Sequence, residues 1–240
     1  MSRNALVTGG TRGIGAAIAE ALAAAGYTVA VSYSGNVEAA RDFTARTDIP
    51  SFRWDVSDHD ACQEGVALVE EQIGGIEVLV NNAGTSRDGF LHKMADEDWS
   101  RVVDVNLSSC FHMCRAVIGG MRSRGFGRII NISSVNGQAG MLGLSNYSAA
   151  KAGMLGMTKA LALENASKGI TVNAVAPGYV DTDLIAHVSE AMMQRIVSGI
   201  PVGRVAQPEE VARCVLFLAA DDAGFITGST LSVNGGAHMA

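Results

Sequence analysis

No apolar run in this 240-residue chain approaches the roughly 18 consecutive residues that a bilayer-spanning helix needs, so none is expected. The N-terminus passes straight into a strand-like segment without a signal-peptide pattern, and a soluble, cytoplasmic protein is the expectation. Cysteine is sparse: Cys62, Cys110, Cys114 and Cys214 form no CxxC pair and have no histidine at zinc-ligand spacing. They read as reduced thiols, and no metal site is expected. Positive charge is short too, 18 Lys and Arg against 24 Asp and Glu. The net charge of -6 argues against a nucleic-acid or anionic-membrane surface. Internal repeats, low-complexity tracts and Pro/Gly-rich linkers are all absent, so nothing divides residues 1–240 into more than one domain.

What the chain does have is a steady alternation of short β-branched runs and longer helical stretches, with 48% hydrophobic residues to fill a core. The first run, Ala5-Leu6-Val7-Thr8, precedes a helix that Gly26 closes. Further strand-like segments fall near 28–33, 50–54, 76–81, 127–133, 170–175 and 230–233. The pattern predicts an α/β fold, a doubly wound parallel sheet of about seven strands with helices on both faces. Residues 178–206 interrupt the rhythm and are long enough to form a substrate lid.

Two stretches carry chemistry. In Asn146-Tyr147-Ser148-Ala149-Ala150-Lys151 a phenol and an ammonium stand four residues apart in a helix-forming run, hence on one face. A phenol alone is a poor proton carrier near neutrality, and a cation beside it favours the phenolate. Such a pair also occurs as an ordinary surface pair. The second stretch is the turn after the first strand, Thr8-Gly9-Gly10-Thr11-Arg12-Gly13-Ile14-Gly15. Gly9 suits the tight turn, Gly13 lets backbone approach a pyrophosphate, and Gly15 lets the helix pack close with its N-terminal amides facing the anion. The spacing is GxxxGxG, not GxGxxG, and glycines also serve turns that bind nothing.

Further motifs appear in order: Asn81-Asn82-Ala83-Gly84 after the fourth strand, Asn106 within Val105-Asn106-Leu107, Ser134 thirteen residues before Tyr147, and Pro177-Gly178 after the sixth strand. Taken singly, Ser134 reads equally well as a strand-end cap and Asn106 as a helix-breaking turn. Together with the two stretches above they resemble the short-chain dehydrogenase/reductase family over essentially the whole chain. The resemblance implies a Rossmann-type fold and a nicotinamide cofactor. It assigns Tyr147 to pass a proton to a substrate carbonyl oxygen, Ser134 to hydrogen-bond that oxygen, Lys151 to hold the nicotinamide ribose, and Asn106 to position a water that links Lys151 to solvent. Its cofactor positions are Gly9, Thr11, Arg12, Gly13, Ile14, Gly15, Tyr33, Ser34, Asp55, Val56, Asn82, Ala83, Gly84, Tyr147, Lys151, Pro177, Gly178 and Val180.

Cofactor choice is read at the end of the second strand, where an acid would accept from a ribose 2′-hydroxyl. Here stands Ser32-Tyr33-Ser34-Gly35-Asn36, with Arg12 in the adjacent turn, so NADPH is expected. Asp55-Val56 matches the family pair that meets the adenine.

Within the family the likeness is greatest to acetoacetyl-CoA reductases of polyhydroxybutyrate synthesis and then to 3-oxoacyl-ACP reductases. Three segments carry it: Arg87 to Met94, Ser133 to Gln138, and Asn234 to Met239. The implied substrate contacts are Asp88, Lys93, Ser134, Tyr147 and Tyr179, together with the loop residues Met141, Leu142 and Leu144. Met141 and Leu144 replace glutamines common in acetoacetyl-CoA reductases, which suits a longer or less polar acyl chain. The alternatives are a 3-oxoacyl-ACP reductase and a dinucleotide-binding sensor without turnover; the sensor class usually loses a member of the Asn106, Ser134, Tyr147, Lys151 set. A homotetramer is expected from a long helix near 96–123 and from an apolar outer face (Gly153, Leu155, Gly156, Ala160) on the 146–167 helix.

Overall fold

The computed structural model describes residues 2–183 and 188–239. Its strands are β1 (Asn4–Thr8), β2 (Thr28–Tyr33), β3 (Ser51–Arg53), β4 (Val78–Asn81), β5 (Gly127–Ile132), β6 (Ile170–Pro177) and β7 (Thr230–Val233). All pair in parallel in the order β3-β2-β1-β4-β5-β6-β7. The expected seven-stranded α/β sheet is present. Every residue of β4, β5 and β6 is buried, as strands covered on both faces must be, which is why their sequences run apolar without alternating. The chain starts mid-sheet, winds outward to β3, returns to β4 beside β1, and winds out the other way. That reversal opens a crevice at the carboxyl ends of β1 and β4.

The helices are α1 (Gly13–Ala24), α2 (Val37–Thr47), α3 (His59–Ile73), α4 (Asp96–Val103), α5 (Ser109–Arg124), α6 (Val135–Ala139), α7 (Ser145–Asn165), α8 (Glu190–Ser198) and α9 (Pro208–Ala219). One face of the sheet is sealed by Ile18 and Leu22 of α1, Phe43 of α2, and Val211, Val215 and Leu218 of α9. The other is sealed by Val66 and Val69 of α3, Met113 and Val117 of α5, and Ala162 of α7. Local chemistry starts and stops these helices as the sequence suggests. Asp58 caps α3 by accepting from the Ala61 amide at 3.0 Å, and Gly26 follows the last turn of α1 at φ 90°. The four cysteines are free, and among the described residues no helix is long and apolar enough to cross a membrane.

Three sequence expectations are modified. The single long helix near 96–123 is two helices joined by a π-helical turn, Asp104–Ser108. Its cause lies in Asn106, whose side-chain amide donates to the Val102 carbonyl at 2.8 Å and to the Thr85 carbonyl at 2.7 Å, competing for backbone acceptors where the helix widens. Gly153 is not on an outer face: a side chain there would run into Leu107 of the same chain. Within 178–206, the ends are pinned together by the Asp181 amide on the Ala206 carbonyl (2.8 Å) and the Ala206 amide on the Tyr179 carbonyl (2.9 Å). Between them α8 buries none of its residues. Leu184 to His187, part of the expected lid, lie outside the described residues.

Ile129 sits fully buried in β5, an interior strand of the sheet. Ile129→Ala should destabilise the fold by about 2–5 kcal/mol, read from urea midpoints at constant slope. A loss below about 1 kcal/mol would show that this layer of the core collapses around the gap.

Candidate active site

At the crevice, β1 and β4 are latched by side chains. The Thr8 hydroxyl accepts from the backbone amides of Asn82 (3.0 Å) and Ala83 (3.1 Å), and it donates to the Val80 carbonyl at 3.4 Å. The Asn82 side-chain amide returns to the carbonyls of Thr8 and Gly9, both at 3.0 Å. The glycine turn is thereby bolted to the Asn82-Ala83-Gly84 segment. A Cβ on Gly15 would overlap the Gly9 carbonyl and the Asn82 amide, so the start of α1 lies as close to the turn as backbone allows. Thr11 is buried and Ile14 packs on the core, whereas Arg12 stands exposed at the N-cap of α1 with no side-chain cap bond. The first amides of α1 have no intrahelical acceptor and no side-chain cap, the arrangement that an anion site uses. Gly13 adopts φ 52°, and its open side faces Thr182, just beyond Pro177-Gly178-Tyr179-Val180.

Lys151 is 3% exposed, and its ammonium donates to the Ile132 carbonyl at the end of β5 at 2.7 Å. Its Nζ lies 5.7 Å from the ring centroid of Tyr147, one turn earlier on α7. Ser134, 8% exposed, caps α6: its oxygen accepts from the Asn136 amide at 3.1 Å, leaving the hydroxyl proton free to donate elsewhere. The Ser133 hydroxyl donates to the Lys151 carbonyl at 2.9 Å, tying the same strand end to the same helix turn. Asn106 is fully buried; both of its amide bonds are made, but its Oδ1 has no partner among the described residues. A Cβ built on Gly84 would lie 2.8 Å from that Oδ1 and 3.7 Å from Lys151 Nζ. The glycine thus keeps open a space bordered by an orphan acceptor and a buried cation. That space, beside the amide-lined turn, fits a polar group with hydroxyls such as the ribose of a nicotinamide dinucleotide.

Farther along the crevice, Tyr33 ends β2 half-buried and Ser34 is exposed. Val56 is buried. Asp55 accepts from the Ser57 amide (2.9 Å) and hydroxyl (2.7 Å) and from both terminal nitrogens of Arg101 on α4 at 3.2 Å. Partial burial alone would raise its pKa, but the Ser57 and Arg101 hydrogen bonds outweigh that and hold the carboxyl below the usual range. Asp55 is therefore partly engaged by the protein itself, a tie that no sequence motif signals.

The mouth is built from two loops. The Gly89 amide donates to the Gly143 carbonyl at 2.9 Å, beside a parallel bridge between Gly89 and Leu144. Asn146, fully buried, clamps them further through its Nδ2 to the Arg87 carbonyl at 3.0 Å. Asp88 is exposed and accepts from the Ser86 hydroxyl at 2.7 Å. Lys93 ends an exposed single turn, Leu91–Lys93, while Met141 and Leu142 stand 40% and 81% exposed. Tyr179 lines a cavity of about 290 Å³ with Ile200, Val202, Ser232 and Val233. Thr8, Asn146 and Thr182 were not among the sequence candidates; only Asn146 had a signal, its place next to Tyr147.

A family model described as Enoyl-(Acyl carrier protein) reductase matches residues 9–238. The chain is 59% identical to the acetoacetyl-CoA reductase of Rhizobium meliloti (strain 1021), with 100% of each chain covered. It is 57% identical to the acetoacetyl-CoA reductase of Paracoccus denitrificans, covering 98% of each. To the 3-oxoacyl-(acyl-carrier-protein) reductase of Vibrio harveyi it is 41% identical, covering 98% of this chain and 97% of the other.

Gly84→Ala should test the space between Asn106 and Lys151. The added methyl occupies it, so turnover should fall about tenfold or more, a barrier increase of at least ~1.4 kcal/mol, while circular dichroism stays native. Unchanged turnover would mean that the space is not used.

Proposed function

We propose that this chain, which belongs to the short-chain dehydrogenase/reductase family, reduces the ketone of a 3-oxoacyl thioester with NADPH, converting acetoacetyl-CoA to 3-hydroxybutyryl-CoA. It is an oxidoreductase acting on a ketone, as its relatives' names indicate. The observation that carries the reading is the convergence on one strand end of Ser134, with a hydroxyl proton to give, and Lys151, buried one turn from Tyr147. NADPH, when bound, supplies the hydride. Tyr147 donates its phenolic proton to the carbonyl oxygen while Ser134 hydrogen-bonds the same atom, stabilising the charge that develops there. Lys151 holds the ribose. Asn106 Oδ1 accepts from a water that carries the returning proton inward. NADPH over NADH is supported by exposed Arg12 and by the lack of an acid from Ser32 to Asn36. Residues 178–206 serve as the lid, and the product enters polyhydroxybutyrate synthesis in the cytoplasm.

The family's name, enoyl-(acyl carrier protein) reductase, implies reduction of a carbon–carbon double bond, whereas a proton donor paired with a second donor suits a carbonyl oxygen. A 3-oxoacyl-ACP substrate is the second reading, favoured by the exposed apolar residues Phe90, Leu91, Met141 and Leu142 at the mouth, which suit a longer acyl chain. Absorbance at 340 nm should fall when NADPH and acetoacetyl-CoA are mixed with the protein, and stay constant with the enoyl thioester crotonyl-CoA. Faster loss with the carrier-protein thioester would favour the second reading. Tyr147→Phe should leave NADPH binding intact and lower reduction by about 10²–10⁴-fold or more. A variant that kept most of its activity at pH 7 with both thioesters would overturn the mechanism.

Assembly as a homotetramer is supported by apolar side chains left on the surfaces of α4, α5 and α7: Trp99, Phe111 and Leu163, the last 86% exposed. Sedimentation should return the mass of four 24.9 kDa chains, and a one-chain mass would defeat the assignment.

A further inference from the structure

Arg53 is the last residue of β3 and pairs in register with Tyr33, the last residue of β2. Its side chain is exposed and reaches past both strand ends, where Nε donates to the Ser34 carbonyl at 3.0 Å. The two terminal nitrogens of the guanidinium have no hydrogen-bond partner among the described residues. The acids that might neutralise it are otherwise placed. Asp55, two residues on, is taken by Ser57 and Arg101. Glu38, in the first turn of α2, makes no ion pair with it among the described residues. An arginine held by Nε alone presents a planar two-donor edge of fixed orientation, the geometry that phosphate oxygens accept. It does so beside Ser34, in the segment that decides between a ribose hydroxyl and a ribose phosphate.

We infer that Arg53 is a second specificity-determining residue for the cofactor, a guanidinium fork anchored on the Ser34 carbonyl that binds the 2′-phosphate of NADPH together with Arg12. The inference rests on the NADPH reading above and adds a contact from β3, beyond the glycine turn and the end of β2. The Nε bond preorganises the fork, so less side-chain entropy is lost when the phosphate arrives. It also fixes the Ser34 carbonyl, which keeps the loop entering α2 in place.

Isothermal titration of the full chain with 2′,5′-ADP and 5′-AMP separates the 2′-phosphate contact from adenosine binding without any turnover. The unmodified protein should prefer 2′,5′-ADP. Arg53→Ala should weaken 2′,5′-ADP by about 10- to 100-fold, the effect of a lost charge-assisted contact, and leave 5′-AMP within about twofold. Arg53→Lys, which keeps the charge but not the fork, should fall between. Retained 5′-AMP binding reports that the variants are folded. Equal losses for both nucleotides would reduce Arg53 to a loop support and overturn the inference, as would unchanged 2′,5′-ADP binding. If the unmodified protein shows no preference for 2′,5′-ADP, the NADPH reading fails and takes this contact with it. If it shows the preference, and Arg12→Ala loses it while Arg53→Ala does not, only the role of Arg53 is lost.

Discussion

A buried ammonium organises this molecule. Removing a charged lysine from water costs several kcal/mol unless hydrogen bonds replace the lost hydration. Lys151 recovers one of them from the Ile132 carbonyl at the end of β5. That bond sets the depth and rotation of α7 against the sheet, and the Ser133 hydroxyl on the Lys151 carbonyl secures the same turn. Once α7 is set, Tyr147 follows one turn away, and the ammonium lies 3.7 Å from where a side chain on Gly84 would begin. Asn106 borders that space only because the chain departs from α-helical geometry at Asp104–Ser108. A regular helix would carry its side chain to another azimuth. The π turn is therefore a positioning device, held by the Asn106 amide on Val102 and Thr85.

The other half of the crevice is built on backbone. The reversal of strand order between β1 and β4 leaves a cleft, and the Thr8–Asn82 latch keeps its two lips in register. In the proposed reading, backbone amides at the start of α1 meet the pyrophosphate, while the side chains of Lys151, Arg12 and Arg53 recognise the two riboses and the 2′-phosphate. The proposed chemistry and the proposed cofactor choice thus sit at opposite ends of one cleft, built from β4–β6 and from β1–β3 respectively. Substitutions that change one end need not disturb the other, which is how a common fold carries varied specificity.

The proposed substrate preference rests on the loops at the mouth. Gly89–Gly143 and Asn146–Arg87 hold the loops together, but their tips, Leu91 and Leu142, project into solvent. Apolar tips of this kind offer area to an acyl or pantetheine chain without the hydrogen bonds that would reject a longer one. Tyr179 lines a cavity with residues drawn from 200–206 and 232–236.

The α/β alternation, the seven strands, the helix stop at Gly26, and the Tyr147–Lys151 pairing were all legible in the sequence. Each follows from local rules: period, turn chemistry, or a four-residue helical repeat. The spacing of glycines nominated the turn after β1, and the resemblance to a known family nominated Asn106 and Ser134. What only the tertiary structure decided are contacts between elements distant in the chain. Among them are the π turn that breaks the expected long helix, Gly153 against Leu107, Arg101 on Asp55, Thr182 over Gly13, and Arg53 on the Ser34 carbonyl. No periodicity encodes these, because each depends on the register and spacing of strands and helices brought side by side, and a side chain's partner is set by that geometry rather than by its sequence neighbours.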